Sequence, residues 1–274
     1  MQKLSYGMQI SEEILEPGAK VGHTACLNCD RALSEAYCAH CGQKASTHRY
    51  SVKHFVMHDL VHGVWHVDKG LLFTIKGLFT KPGTNVRAFI EGKRILYFNC
   101  ITLIILVLGA GHFLGALSPV KLTDIVPDNS RAVMSVIEEW STKYPKFVLL
   151  FTIPVSSLFS YLWFRKARLN GTEHLVLNTY KAAAELVIGL LFTAITIVYH
   201  NNKEVLYLLY SFFGLLTMLY SVWFYYQYFS YSGYKRYSLL LRSLMVPVSI
   251  TFFYLLAGLL VGMVAGVMAH KGLR

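Results

Sequence analysis

The chain has 274 residues, a mean hydropathy of +0.43, 54% apolar and 15% charged residues, and a formal net charge of +11. A water-soluble domain of this length carries about a quarter charged residues, so the composition excludes an ordinary soluble protein. The positive charge invites a nucleic-acid reading. Much of it, however, falls in short loops between apolar runs, where positive residues mark the cytoplasmic side of a membrane protein, so nucleic acid is the weaker partner class.

Residues 1–96 hold 12 of the 26 Lys and Arg, 8 of the 15 Asp and Glu, and no long apolar run. The first 25 contain acids and Pro17 but no apolar core, so no signal peptide is expected. Four regions follow: a flexible N-terminus over 1–22, a zinc ribbon over 23–48, amphipathic interfacial helices over 49–95 and a transmembrane helical domain over 96–270.

The ribbon rests on Cys26 and Cys29 in "CLNC" and Cys38 and Cys41 in "CAHCG". Each Cys-x-x-Cys can turn two thiolates toward one ion, and two such turns complete a tetrahedron. Gly42 suits the left-handed backbone that ends such a turn. A shell of four thiolates leaves no position for water, so the expectation is one structural zinc ion per chain. A cytosolic location argues against two disulfides. Zinc would hold together a ribbon too small to fold on its own core.

"HFVMHDLVHGVWH" follows, with His54, His58, His62 and His66 at every fourth position. On a helix they form one stripe about 18 Å long, opposite Val56, Met57, Leu60 and Val64. The favoured reading is an interfacial helix on the cytoplasmic leaflet. The sharper one is a second metal or pH-sensing site, made by these histidines with His174. A short apolar helix over 70–79 and another over 84–92 come next. Lys69, Lys76, Lys81, Lys93 and Arg94 are the expected contacts for anionic lipid headgroups.

Five apolar runs have the length of membrane helices, near 97–117, 146–164, 181–199, 205–229 and 243–268. The loops before the first, after the second and after the fourth are basic, through Lys93 and Arg94, through Arg165, Lys166 and Arg168, and through Lys235, Arg236 and Arg242. The segments 118–145 and 200–204 balance acids against bases. This alternation places the N-terminus inside, although Lys271 and Arg274 then fall on the outer side. Tyrosines 225–237 crowd one end of the fourth run as an interfacial belt. Glu185 and His112 are candidates for an intramembrane polar path, with a structural pair between Lys181 and Glu185 as the alternative. Pro154 and Pro247 should kink their helices, and Gly258, Gly262 and Gly266 offer a smooth face for a homo-oligomer.

The order of these pieces is similar to a large family of bacterial inner-membrane proteins of unknown function. The resemblance rests on "CLNC…YCAHCGQ", on "KHFVMHDLVHGVWHVDKGLLFTIKGLFTKPGTNVRAFIEGKRILYFN" and on "NGTEHLVLNTY". It spans most of 26–180, and this chain has Cys100 where members often carry Pro after "YFN". The resemblance implies a zinc ribbon followed by a multi-span domain in the bacterial inner membrane, and no activity. It places His58, Asp59, His66, Asp68, Lys69, Gly70, Thr74, Pro82, Gly83, Gly92, Lys93, Arg94, Glu173 and His174 in recurrent motifs.

The expected fold is thus an all-α polytopic membrane protein of about five transmembrane helices, with a small N-terminal zinc ribbon and amphipathic interfacial helices. The expected function is non-enzymatic: a zinc-ribbon head contacting a cytosolic or membrane protein partner. The rivals are an oligomeric ion or small-solute channel or transporter, and a metal-dependent membrane enzyme using the histidine stripe. The enzyme is weakened by the lack of an HxxHH element, a nucleophile elbow, a P-loop or a dinucleotide fingerprint.

Overall fold

The computed structural model describes residues 24–47 and 70–270, with the backbone alone at 129, 132, 145–147, 149 and 260–270. The chain divides into two compact units, the first ending at His48 and the second beginning at Arg49.

In the first unit the chain makes two tight turns, each closed by an isolated bridge, Ala25 with Ala32 and Tyr37 with Lys44. Apart from these bridges there is no β-structure among the described residues.

The second unit is helical. Helix α1 (Gly70–Thr80) stops at Lys81 because Pro82 has no N–H to continue it; the same proline, with its fixed φ, starts α2 (Pro82–Ile90). Gly92, at φ 112°, ends α2, and its N–H and that of Lys93 return to Phe89 O and Ala88 O. Asn99 caps α3 (Cys100–Leu117) by accepting from the N–H of Ile101 and Thr102. Next come a single turn, α4 (Leu122–Ile125), then α5 (Asp128–Lys143) and α6 (Pro145–Trp163). A 3-10 turn at Arg165–Ala167 leads to α7 (Gly171–Val198), which is followed by α8 (Lys203–Phe229) and α9 (Arg236–His270).

Helix α7 is the centre of the bundle, packed on α3, α6 and α8 and touched by α1 and α2. It runs parallel to α3, since Tyr180 meets Phe98 while Thr196 meets Ser118. It runs antiparallel to α6 and α8, since His174 lies by Ser160 and Asn178 by Tyr225. One end of the bundle therefore gathers the segments 91–99, 164–170 and 230–235, and the other gathers α4, α5 and the α7–α8 connection. Phe89, Leu103, Val176, Leu177, Phe224 and Phe229 lie in the core. Large apolar side chains such as Leu208, Leu219, Phe252, Leu255 and Leu259 stand exposed along the long helices, as a lipid-facing surface requires.

Four helices, α3, α7, α8 and α9, are long and apolar enough to cross a membrane. The remaining expected span, near 146–164, corresponds to α6, the 19-residue helix Pro145–Trp163. The structure departs from the sequence reading at three places. Helix α7 begins ten residues before the expected start at 181, because Asn170 and Glu173 form a capping box. The expected loop 118–145 contains α4 and α5. The two short helices, expected at 70–79 and 84–92, run 70–80 and 82–90 and are not merely a surface layer. They bury Thr74, Leu78, Val86, Phe89 and Ile90 in the bundle while Leu72 and Phe73 stay exposed.

Candidate functional site

The four predicted cysteines come together. Cys26 Sγ lies 3.6 Å from Cys41 Sγ, Cys29 Sγ lies 3.6 Å from Cys38 Sγ, and all four fall within 4.8 Å of one another. A tetrahedral thiolate site with metal–sulfur bonds of about 2.3 Å spaces its sulfurs about 3.8 Å apart, so the set fits one ion. It could hold a metal with no other ligand.

Local backbone explains how. The same knuckle is built twice, twelve residues apart. Cys26 N donates to Arg31 O and Asp30 N to Cys26 O; Cys38 N donates to Gln43 O and Gly42 N to Cys38 O. Asp30 (φ 58°) and Gly42 (φ 75°) take the equivalent left-handed position. Backbone N–H groups of Cys41 and His40 pull the Cys38 thiol down to about 6, and that of Gln43 lowers Cys41. At Cys29 the Arg31 N–H lowers the thiol, but burial and the three neighbouring thiols carry it up to about 12. Four thiols this close cannot all ionise without a cation among them, and a divalent ion removes that conflict. Gly42→Val should weaken metal retention by ~1–2 kcal/mol, roughly tenfold in the chelator concentration needed to strip the ion, because a β-branched residue resists this φ. Gly42→Asp should be nearly silent, since Asp30 already occupies the twin position.

The second constellation lies in the helical unit, near the end that carries the loops 164–170 and 230–235. Tyr225 OH donates to Asn178 Oδ1. Asn178 Nδ2 donates to Ser160 Oγ at 2.9 Å and to His174 O at 2.7 Å. Ser160 Oγ and His174 Nδ1 share a 2.8 Å bond, and Ser157 Oγ donates to His174 O. All five residues are buried, and His174 Nε2 has no hydrogen-bond partner. The imidazole packs against Phe229 and the edge of Tyr161. Sequence reasoning singled out His174 but missed Ser157, Ser160 and Asn178, and it read Tyr225, which is fully buried, as part of an interfacial belt. The available signal was polar residues one helical turn apart in otherwise apolar runs.

A third set fastens α1 and α2 to the bundle. Thr74 Oγ1 accepts from Phe98 N, and Tyr180 OH donates to Phe98 O. Asn85 Nδ2 donates to Gly77 O and Lys81 O, while its Oδ1 accepts from Tyr97 OH. Tyr220 OH donates to Leu78 O. At the start of α2, Gln227 Oε1 accepts from Gly83 N at 2.8 Å and more weakly from Thr84 N. The side chain of one helix thus caps another.

The remaining predicted residues are placed as follows. His54, His58, His62, His66 and Lys69 lie outside the described residues. Glu185 pairs with Lys181 at 2.6 Å, the structural alternative. His112 is exposed on the outer side of α3, one residue from Gly111, which sits opposite Leu190. The structure therefore does not bring His112 and Glu185 into one path. Glu173 closes the α7 capping box by accepting from Asn170 N and is buried. Lys76, Lys81 and Lys93 are exposed, and the Arg94 guanidinium lies over Phe89.

These features define the class: a helical protein of membrane type carrying a four-cysteine cluster able to bind a metal. The model of a family described as "Protein of unknown function (DUF3667)" matches residues 68–110, which contain α1, α2, the linker and the first part of α3. No curated protein and no solved structure matches the chain. The matched stretch contains one side of the third set, since Thr74, Gly83, Asn85 and Tyr97 lie within it.

Proposed function

We propose that the chain is a non-enzymatic integral membrane protein of the bacterial cytoplasmic membrane, with five spans. Its head holds one structural zinc ion and presents a small ribbon to a cytosolic or membrane partner. The observation that carries this is the closed donor set: four thiols satisfy one ion and leave no open position for a substrate. Among the described residues of the second unit, Glu173 closes a helix cap, His174 Nδ1 bonds Ser160 and Glu185 pairs with Lys181.

Charge supports the orientation. Lys81, Arg165, Lys166, Arg168, Lys235 and Arg236 stand exposed at one end, whereas Asp124, Asp128, Glu138 and Glu139 offset Lys121, Arg131 and Lys143 at the other. The basic end faces the cytoplasm and its anionic headgroups. Tyr231 and Tyr237, both strongly exposed at the same end, fit the headgroup layer. On α9, nothing lies within 4 Å of a Cβ built at Gly258, so this face is open to a second copy.

Metal analysis of the purified full chain tests the reading. One zinc per chain, retained in His58→Ala/His62→Ala and lost in Cys29→Ser/Cys38→Ser while the helical unit stays folded, is the expected result. A second metal equivalent that disappears with the histidines would overturn it in favour of a metal-dependent enzyme. Ion or solute flux in proteoliposomes, lost in Glu185→Gln, would overturn it in favour of a channel.

A further inference from the structure

Helix α5 carries the most distinct unassigned surface of the protein. Val133, Val136, Ile137 and Trp140 recur at intervals of three, one and three, which places them on one face, and each is about half exposed. The opposite face is fixed. Glu138 accepts from the backbone N–H of Leu122 and Thr123, so its carboxylate caps α4 and sets the rotation of α5 about its own axis. The apolar stripe is thereby turned away from α4. Asp128 and Arg131, paired at 2.8 Å, and Glu139 are exposed on the polar side.

Two observations say what covers the stripe. Tyr144 ends α5 and begins α6 with no loop between them, and the outward residues of α6 that follow are Leu150, Phe151 and Leu158. The stripe therefore runs into the surface that meets acyl chains. At this junction Trp140 packs on Tyr144 at 5.3 Å and the Lys143 ammonium lies over the Tyr144 ring, the residue types that settle at a bilayer boundary.

We propose that α5 is a membrane-surface anchor: it lies in the headgroup layer at the end opposite the basic loops, with Val133, Val136, Ile137 and Trp140 set between acyl chains. The inference rests on the membrane reading above. With three acids against two bases, α5 draws on apolar burial rather than on lipid charge, so its ligand is a zwitterionic phospholipid surface as readily as an anionic one. It braces the outer end of α6, which it joins directly at Tyr144.

The test uses the full chain in phosphatidylcholine vesicles, comparing wild type with Trp140→Phe; the difference spectrum isolates Trp140 emission. This emission should lose most of its intensity when the lipids carry bromine on the upper acyl chain, and should resist iodide present on both sides of the membrane. Iodide quenching without bromolipid quenching would put α5 in water and overturn the proposal. Resistance to both would mean that protein, such as a second copy, covers the stripe, and would equally overturn it. Release of the chain from membranes by alkaline carbonate is read separately, because that result would sink the membrane reading itself.

Discussion

Gly83→Ala should lower the unfolding transition of the detergent-solubilised protein by about 2–4 kcal/mol, measured by denaturant titration followed by circular dichroism. A Cβ at this position would stand 2.2 Å from Tyr228 N, 2.6 Å from Gln227 C and 2.7 Å from Tyr228 Cα. All three are backbone atoms of α8, so no rotamer change can relieve the clash. The two helices must separate by about an ångström to reach ordinary contact. Separation also stretches the 2.8 Å bond from Gly83 N to Gln227 Oε1 and disturbs Tyr220 OH on Leu78 O. Overpacking contributes about 1–3 kcal/mol and loss of the cap about 1. The control is built into the bundle. A Cβ at Gly109 or Gly189 meets nothing within 4 Å, so Gly109→Ala and Gly189→Ala should be neutral or stabilising by up to ~1 kcal/mol. A loss at Gly83 no larger than at these sites would show that α2 does not press on α8.

That prediction also marks where sequence reading ends. The apolar runs near 97–117, 205–229 and 243–268 were legible because a membrane helix needs a certain length and little else. The four cysteines were legible because ligand spacing within each knuckle is local. Gly83 lies in a turn-like "KPG" that says nothing of Tyr228, 145 positions away, so the close approach has no local signature. "NGTEH" is ambiguous in a different way. Adjacent Glu173 and His174 have the composition of a ligand pair, yet Asn170 and Glu173 satisfy the first N–H groups of α7 and His174 bonds Ser160. Caps and ligands draw on the same residue types, and only the three-residue interval from Asn170 to Glu173 distinguishes them in advance. Helix α5 was read as a charge-balanced loop because counting Asp, Glu, Lys and Arg ignores their phase. The charges lie around one face and Val133, Val136, Ile137 and Trp140 on the other.

Asn178→Leu is the second large loss expected, again about 2–4 kcal/mol in the same measurement. The asparagine is buried and uses its whole polar end: its carbonyl accepts from Tyr225, and its two N–H groups serve Ser160 and His174 O. Leucine has similar volume, so cavity terms are small and the cost is that of orphaned groups, about 1–3 kcal/mol for each one left buried without a partner. Tyr225→Phe alone should cost about 1 kcal/mol, since it strands only the Asn178 carbonyl. In the double variant both halves of that bond are gone, so the two losses should fall short of additivity by about 1–2 kcal/mol. Strict additivity would show that the bond does not couple α7 to α8. His174→Phe should be milder than Asn178→Leu. It gives up one bond to Ser160 but keeps an aromatic ring beside Phe229, and it removes an Nε2 that was buried without a partner in the first place. The network then behaves as a clamp whose strength resides in Asn178, where three helices meet, rather than in the histidine that most resembles a catalytic residue.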